Sequence, residues 1–203
     1  GGSGKTTVLN ACIEYIPDDE ACLIIQESDE LDSNKGCILW KQVVPKTGES
    51  DNEYTLQYLT EKGLLEDVDR IGIGETKGAE AMDLFDAGYT GHVVFTTAHA
   101  PSAEQGINKL IFNMKRSGTD YKREDLLEML SVIDVIVFMK RFKCVQITEI
   151  KGFNYEKKQL TFNPVFEFII KKNENGSLKG CFKTIADSCE KVKKKLEVID
   201  FEE

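Results

Sequence analysis

Arginine is scarce in this chain of 203 residues: Arg70, Arg116, Arg123 and Arg141 are the full set. Few forked guanidinium clamps on phosphate or carboxylate are therefore available, and lysine supplies most of the cationic charge as point charges. Positive charge is itself in deficit. The formal net charge is −9 at pH 7, which argues against broad, nonspecific capture of nucleic acid. One basic run exists, Lys191-Val192-Lys193-Lys194-Lys195, and it reads as the solvated face of a last helix. No apolar run reaches the roughly 18 residues that a membrane-spanning helix needs. The only histidines are His92 and His99, and the cysteines at 12, 22, 37, 144, 181 and 189 form no C-x-x-C pair. A zinc site is not expected, and the cysteines read as reduced, mostly buried small hydrophobes.

What is present is an ordinary globular balance, 41% apolar and 30% charged, suited to one α/β domain or one with a small appendage. Helical spacing of Val8, Leu9, Cys12 and Ile16 predicts a helix from Lys5 to Tyr15. Ala21–Ile25 is a short apolar run of the kind buried on both faces of a parallel sheet. The stretch from there to Asn52 is polar and reads as irregular. Thr55–Leu65 and Gly78–Ala87 read as helices, with a strand over Asp69–Glu75 between them. A third strand spans His92–Thr97. Helices over Ala103–Lys115 and Arg123–Leu130 precede an apolar strand over Val132–Met139. This alternation predicts a mostly parallel sheet with helices on both faces. From Cys144 onward, Val145–Ile150, Val165–Ile170 and Leu178–Phe182 alternate as antiparallel strands, with a turn at Asn173-Glu174-Asn175-Gly176. A Lys/Glu-rich helix closes the chain from about Ile185. Residues 1–143 are thus expected to form the core, and 144–203 a hairpin-and-helix extension of the same domain.

The start, Gly1-Gly2-Ser3-Gly4-Lys5-Thr6-Thr7, matches the last part of the phosphate-loop pattern G-x-x-x-x-G-K-[ST] at Gly4-Lys5-Thr6. Small residues let backbone N–H groups converge on phosphate oxygens. The helix that follows adds unpaired donors and partial positive charge. Gly2, Ser3, Gly4, Lys5, Thr6 and Thr7 are the candidate nucleotide-binding residues. Lys5 is placed for the β- and γ-phosphates of ATP, and the Thr6 hydroxyl for Mg2+. A glycine-rich turn before a helix is the bland alternative, and the Lys-Thr-Thr run tells against it. The pattern's first Gly and the strand that feeds the loop are expected upstream of Gly1. Glu75, at the end of the second strand, is the candidate carboxylate that holds the metal's water shell or polarises the attacking water.

Three further segments carry a resemblance. Gly74-Glu75-Thr76-Lys77-Gly78-Ala79-Glu80-Ala81 resembles a G-E-x-R-G-x-E-A segment, and Thr90–Ala100 resembles a T-G-H…[ST]-T-x-H-A histidine box. Ile25-Gln26-Glu27-Ser28-Asp29-Glu30-Leu31 is similar to an acidic box, I-E-D-x-x-E-L. Together with the phosphate loop, these resemble the secretion ATPase superfamily of type II and type IV secretion and type IV pili. The C-terminal run looks most like its tight-adherence pilus branch. The resemblance implies a RecA-like, hexameric ATPase at the cytoplasmic, inner face of the membrane. It would work with inner-membrane secretion or pilus platform proteins and without direct contact to nucleic acid. Nucleotide would lie between this domain and a separate N-terminal domain. By position, Glu30 and Glu75 are the carboxylates for water and metal, and His99 senses the γ-phosphate or links it to the subunit interface.

Departures from the pattern bear on the rate. Lys77 and Lys109 stand where the family has Arg, Leu65 falls near another family Arg, and Gln26-Glu27 replaces Glu-Asp. ATP hydrolysis that drives subunit motion is the expectation. A nucleotide-binding but hydrolytically weak scaffold or regulatory subunit is the alternative that the lost arginines motivate.

Overall fold

The computed structural model describes residues 2–46, 53–174 and 177–199. Gly1, and the Asn175-Gly176 half of the expected turn, lie outside them. The chain divides into two compact units. One comprises Lys5–His99 and Asn108–Asp120, the other Gly1–Gly4, Ala100–Ile107 and Tyr121–Glu203.

The first unit is built on β1 (Cys22–Gln26), whose five residues are all buried. Pleating sends Leu23 and Ile25 to one face and Cys22 and Ile24 to the other. Leu23 and Ile25 pack with Leu56 and Leu59 of α2 (Leu56–Gly63) and with Leu84 and Ala87 of α3 (Glu80–Tyr89). Cys22 and Ile24 pack with Leu9 and Ile13 of α1 (Lys5–Ile13), together with Leu31 and Ile38. Helices therefore cover both faces, as the apolar run requires. The sheet is parallel throughout, in the order β2-β1-β3-β4, with β3 at Arg70–Ile73 and β4 at Val93–Thr96. Gly72 on β3 lies under the Phe95 ring of β4, where a Cβ would stand 2.1 Å from a ring carbon. α4 (Ala103–Lys115) follows β4.

β2 (Ile38–Gln42) corrects the reading of this stretch as irregular. It is an outer strand of the sheet in which Ile38 alone is buried, so its residues carry neither an apolar run nor a clean alternation.

The second unit is an antiparallel meander, β5 (Val135–Lys140), β6 (Lys143–Asn154), β7 (Gln159–Glu174) and β8 (Ser177–Thr184). The strand expected over Val132–Met139 begins only at Val135, since Leu130–Val132 form a 3-10 turn, and β5 pairs antiparallel with β6 and not with the parallel set. Arg141 and Phe142 connect the two at φ 48° and 58°, the left-handed pair that a two-residue hairpin loop needs. α5 (Arg123–Met129) packs on β6 and β7.

Buried polar groups tie α6 (Glu190–Ile199) to this sheet. Glu149 on β6, 2% exposed, accepts from the Cys189 N–H at 2.6 Å and from Asn163 Nδ2 at 3.0 Å. Burial alone would raise its carboxyl, but the bonds from Cys189, Asn163 and Ser188 outweigh burial and hold it below the ordinary glutamate range. Lys191 Nζ donates to the Ser131 and Ile133 carbonyls at 2.7 and 2.9 Å, and Lys195 pairs with Asp134 at 2.6 Å. The basic run is therefore partly engaged in anchoring its own helix.

The cysteines correct a second expectation. Cys22 alone is buried, and burial pushes its thiol up to about 12. Cys12 and Cys181 are exposed and the other three are intermediate. Among the described residues no helix is long and apolar enough to cross a membrane.

Asp83 on α3 has one carboxylate oxygen buried with no hydrogen-bond partner among the described residues. Burial first, then the Glu61 charge, raises its carboxyl from 3.8 to about 6. A proton is thus held more tightly in the folded than in the unfolded chain. Its contribution to stability is full below about pH 4 and is lost as pH rises through about 6. Asp83→Asn should therefore stabilise the fold at pH 7 by about 1–2 kcal/mol after allowing for solvent screening, and leave it unchanged at pH 3.5. Thermal melts of both variants at the two pH values check this.

Candidate functional site

β1, β3 and β4 run parallel and end near one another, at Gln26, Ile73 and Thr96. The segments that leave their carboxyl ends, the usual ligand side of an open α/β sheet, carry Glu27–Glu30, Gly74–Lys77 and Thr97–His99. α1 brings its amino end to the same place with Lys5 and Thr6. Lys5 Nζ stands 3.3 Å from His99 Nδ1, and His99 Nε2 stands 3.0 Å from Glu75 Oε1. An ammonium has donors only. Nδ1 is therefore the acceptor, and the ring proton lies on Nε2, pointing at Glu75. Five residues predicted from sequence thus meet in three contacts, because Thr6 Oγ1 also donates to Glu30 Oε2 at 3.5 Å. Ser28 Oγ donates to the other Glu30 oxygen at 3.1 Å.

Lys77 extends the cluster. Its ammonium bonds Glu27 at 2.5 Å and lies 3.6 Å from Glu75. The bond to Glu27 is the largest cause, with Glu75 behind it, that holds this lysine above its ordinary range. The lysine in the family's arginine position is therefore a bridge between the acidic segment and the carboxylate at the end of β3.

The turn after Glu75 is clamped on both sides of its backbone. Glu80, 5% exposed at the start of α3, accepts the Lys77 and Gly78 N–H groups at 2.6 and 2.7 Å. From α4, Asn113 Nδ2 donates to the Thr76 carbonyl at 3.3 Å, and just past its end Arg116 Nη1 donates to the Lys77 carbonyl at 2.7 Å. Thr76 N–H and Thr97 Oγ1 cross-link the turn to the end of β4. Sequence reasoning did not single out Asn113. Its signal is a polar residue, fully buried, on the face of α4 that carries Leu110, Ile111 and Met114.

Some expected residues stand elsewhere. His92 lies at the opposite end of β4 from His99, with Nδ1 3.3 Å from the Ala87 carbonyl, where it caps α3. Lys109 Nζ sits 5.2 Å from the Phe112 ring centre. Gly2 and Gly4 hold φ of 68° and 90°, a backbone that favours glycine. Between them the Ser3 carbonyl accepts from Phe142 N–H at 3.0 Å. Thr7 is exposed on the first turn of α1.

Chemically, this corner offers hydroxyl and carboxylate oxygens (Thr6, Glu30, Glu75), the hard donor set that suits Mg2+. It also offers two ammonium groups and a helix amino terminus for an anion.

The profile of a family described as "Type II/IV secretion system protein" matches residues 1–187. The type IV secretion system protein VirB11 of Bartonella henselae is 31% identical over 156 residues, covering 73% of this chain and 43% of that protein. A protein of Methanocaldococcus jannaschii without assigned function is 29% identical over 173 residues, covering 82% of this chain and 62% of its own length. The chain thus spans less than two thirds of these curated relatives. Among solved structures, the VirB11 ATPase of the Brucella suis type IV secretion system, in complex with sulphate, superposes with a TM-score of 0.58. It is 28% identical in sequence, and the match covers 67% of this chain and 40% of that one.

The Lys5–His99–Glu75 contacts set a tautomer that can be measured. Nitrogen-15 spectra of the neutral His99 ring should show the proton on Nε2. Lys5→Met and Glu75→Gln should each weaken that bias, since each removes one of the two groups that impose it.

Proposed function

The chain belongs to the type II/IV secretion system protein family, and on that premise we propose that it is the ATPase domain of a secretion or pilus-assembly motor. Its α/β fold is RecA-like. The observation that carries the reading is the meeting of Lys5, His99 and Glu75, with Thr6 on Glu30, at the carboxyl ends of the parallel strands.

In this reading the glycines of the loop and the first turn of α1 bind the phosphates of ATP. Lys5 exchanges His99 for phosphate oxygens, and its charge offsets theirs. Thr6, with Glu75 or Glu30 through water, would hold Mg2+, which would supply charge neutralisation on the phosphates. Glu75, held by its clamped turn, orients water for in-line attack, and Glu30 is the second carboxylate for that role. His99, freed of Lys5 while nucleotide is bound, regains it when the γ-phosphate leaves. That exchange ties the nucleotide state to the segment after β4, and thereby to motion between subunits. The working assembly is a homohexamer at the cytoplasmic face of the membrane, bound to secretion or tight-adherence-like pilus platform proteins and not to nucleic acid.

A hydrolytically weak scaffold of the same machinery is the second reading, and one observation favours it. Arg70 pairs with Glu20, and Arg116 holds the Lys77 carbonyl. Two of the four arginines are thus engaged with groups of this chain's own fold.

Steady-state hydrolysis and nucleotide binding by the full-length protein with Mg2+-ATP separate the two. The motor reading expects Glu75→Gln to lower kcat by about 10²–10⁴-fold with binding little changed, and Lys5→Ala to weaken binding as well. Tight binding without turnover in the unsubstituted protein would support the scaffold.

A further inference from the structure

Gln26, the last residue of β1, is 7% exposed, and its carboxamide is fully engaged by the segment that follows. Oε1 accepts from the Glu30 N–H at 3.2 Å and from the Leu31 N–H at 2.9 Å. Nε2 donates to the Leu31 carbonyl at 3.2 Å and to Asp29 Oδ1 at 3.3 Å. The orientation of the amide is fixed by its partners, since two N–H groups face one end and two oxygens the other. One side chain therefore closes the turn from Ser28 to Leu31. Leu31, 2% exposed, anchors the turn in the core between α1 and β1. Asn10 of α1 holds its far end through the Asp32 N–H at 2.9 Å.

This turn carries Glu30, whose carboxylate meets Thr6 and Ser28. We infer that Gln26 is a positioning residue: its carboxamide builds the turn that presents Glu30 to Thr6. The inference rests on the proposed function for its catalytic consequence, but not for its geometry. It also accounts for the amide at a position where the family's acidic box has glutamate. A carboxylate at 26 would keep the acceptor for Glu30 and Leu31 and lose the donor. An oxygen would then face the Leu31 carbonyl and the Asp29 carboxylate, leaving buried acceptors unpaired and two negative charges adjacent. In this chain the glutamate of the family pattern is the damaging substitution.

The test is Gln26→Glu, Gln26→Met, Glu30→Gln and the double variant Gln26→Glu/Glu30→Gln in the full-length protein. Hydrogen exchange is followed alongside ATP turnover. Gln26→Glu and Gln26→Met should speed exchange at the Glu30 and Leu31 amides by about tenfold or more, while Ile24 and Ile25 on β1 keep their protection. In turnover, Gln26→Glu should lower kcat by about 10- to 100-fold with the KM for Mg2+-ATP little changed. It should cost less than about twofold further in the Glu30→Gln background, because the residue acts through Glu30. Wild-type exchange at Glu30 and Leu31 in Gln26→Glu, or full additivity of the two substitutions, overturns the inference. If the unsubstituted protein turns over no ATP, the functional reading fails, and the exchange rates alone decide for or against Gln26.

Discussion

Burial of β1 on both faces is the constraint on which the parallel unit depends. Five consecutive residues without solvent contact need apolar partners above and below. α1 supplies one side and α2 with α3 the other. Both β2 and β3 pair directly with β1, in parallel and in register. With β1 pinned in depth and direction, its carboxyl end and those of β3 and β4 come out together. Glu27–Glu30, Glu75, Lys77 and His99 are then carried on the few residues that follow those ends, where Lys5 and Thr6 of α1 meet them. A shift of one residue in β1 would move Leu23 and Ile25 to the wrong face and displace Gln26 from the turn it closes.

On this frame the site is held mainly by polar atoms of buried residues. Gln26, Glu80, Asn113 and the Thr76–Thr97 pair touch main-chain groups of the turns that bear Glu30, Glu75 and His99. These bonds fix backbone, and backbone fixes where the carboxylates point. The groups that these turns present are more exposed: the His99 side chain is 54% and the Lys77 side chain 51% exposed. Buried amides and a buried carboxylate set the geometry, and half-exposed side chains are left to exchange partners. That division suits the proposed function, in which Lys5 would let go of His99 to take up phosphate.

The departures from the family pattern take on physical content here. Lys77 spans Glu27 and Glu75 with a single ammonium, which a point charge on a flexible stem does well. Gln26 and Lys77 flank the same acidic segment, one shaping its backbone and the other pairing with its Glu27 carboxylate. Arg116 is an exposed side chain whose guanidinium nonetheless contributes to structure, through the Lys77 carbonyl.

The sequence by itself determined the pieces whose signal is local. The apolar runs of β1, β3 and β4, the helix periods of α1 to α5, the Gly-Lys-Thr start and the acidic and histidine segments are all legible within windows of ten or so residues. Even the length of α4 is read correctly, as Ala103–Lys115. Only the tertiary structure decided which pieces meet. β2 hides in a polar stretch because an outer strand that buries one residue has no pattern to show. β5 is as apolar as a strand of the parallel core, yet it joins β6, since the choice of partner is a contact between strands and not a property of either. Lys5 and His99 are 94 positions apart, and Glu75 and His99 belong to different strand ends. No spacing rule links residues so distant. Their convergence is set by the register of three strands around a buried β1, and that register is a product of packing.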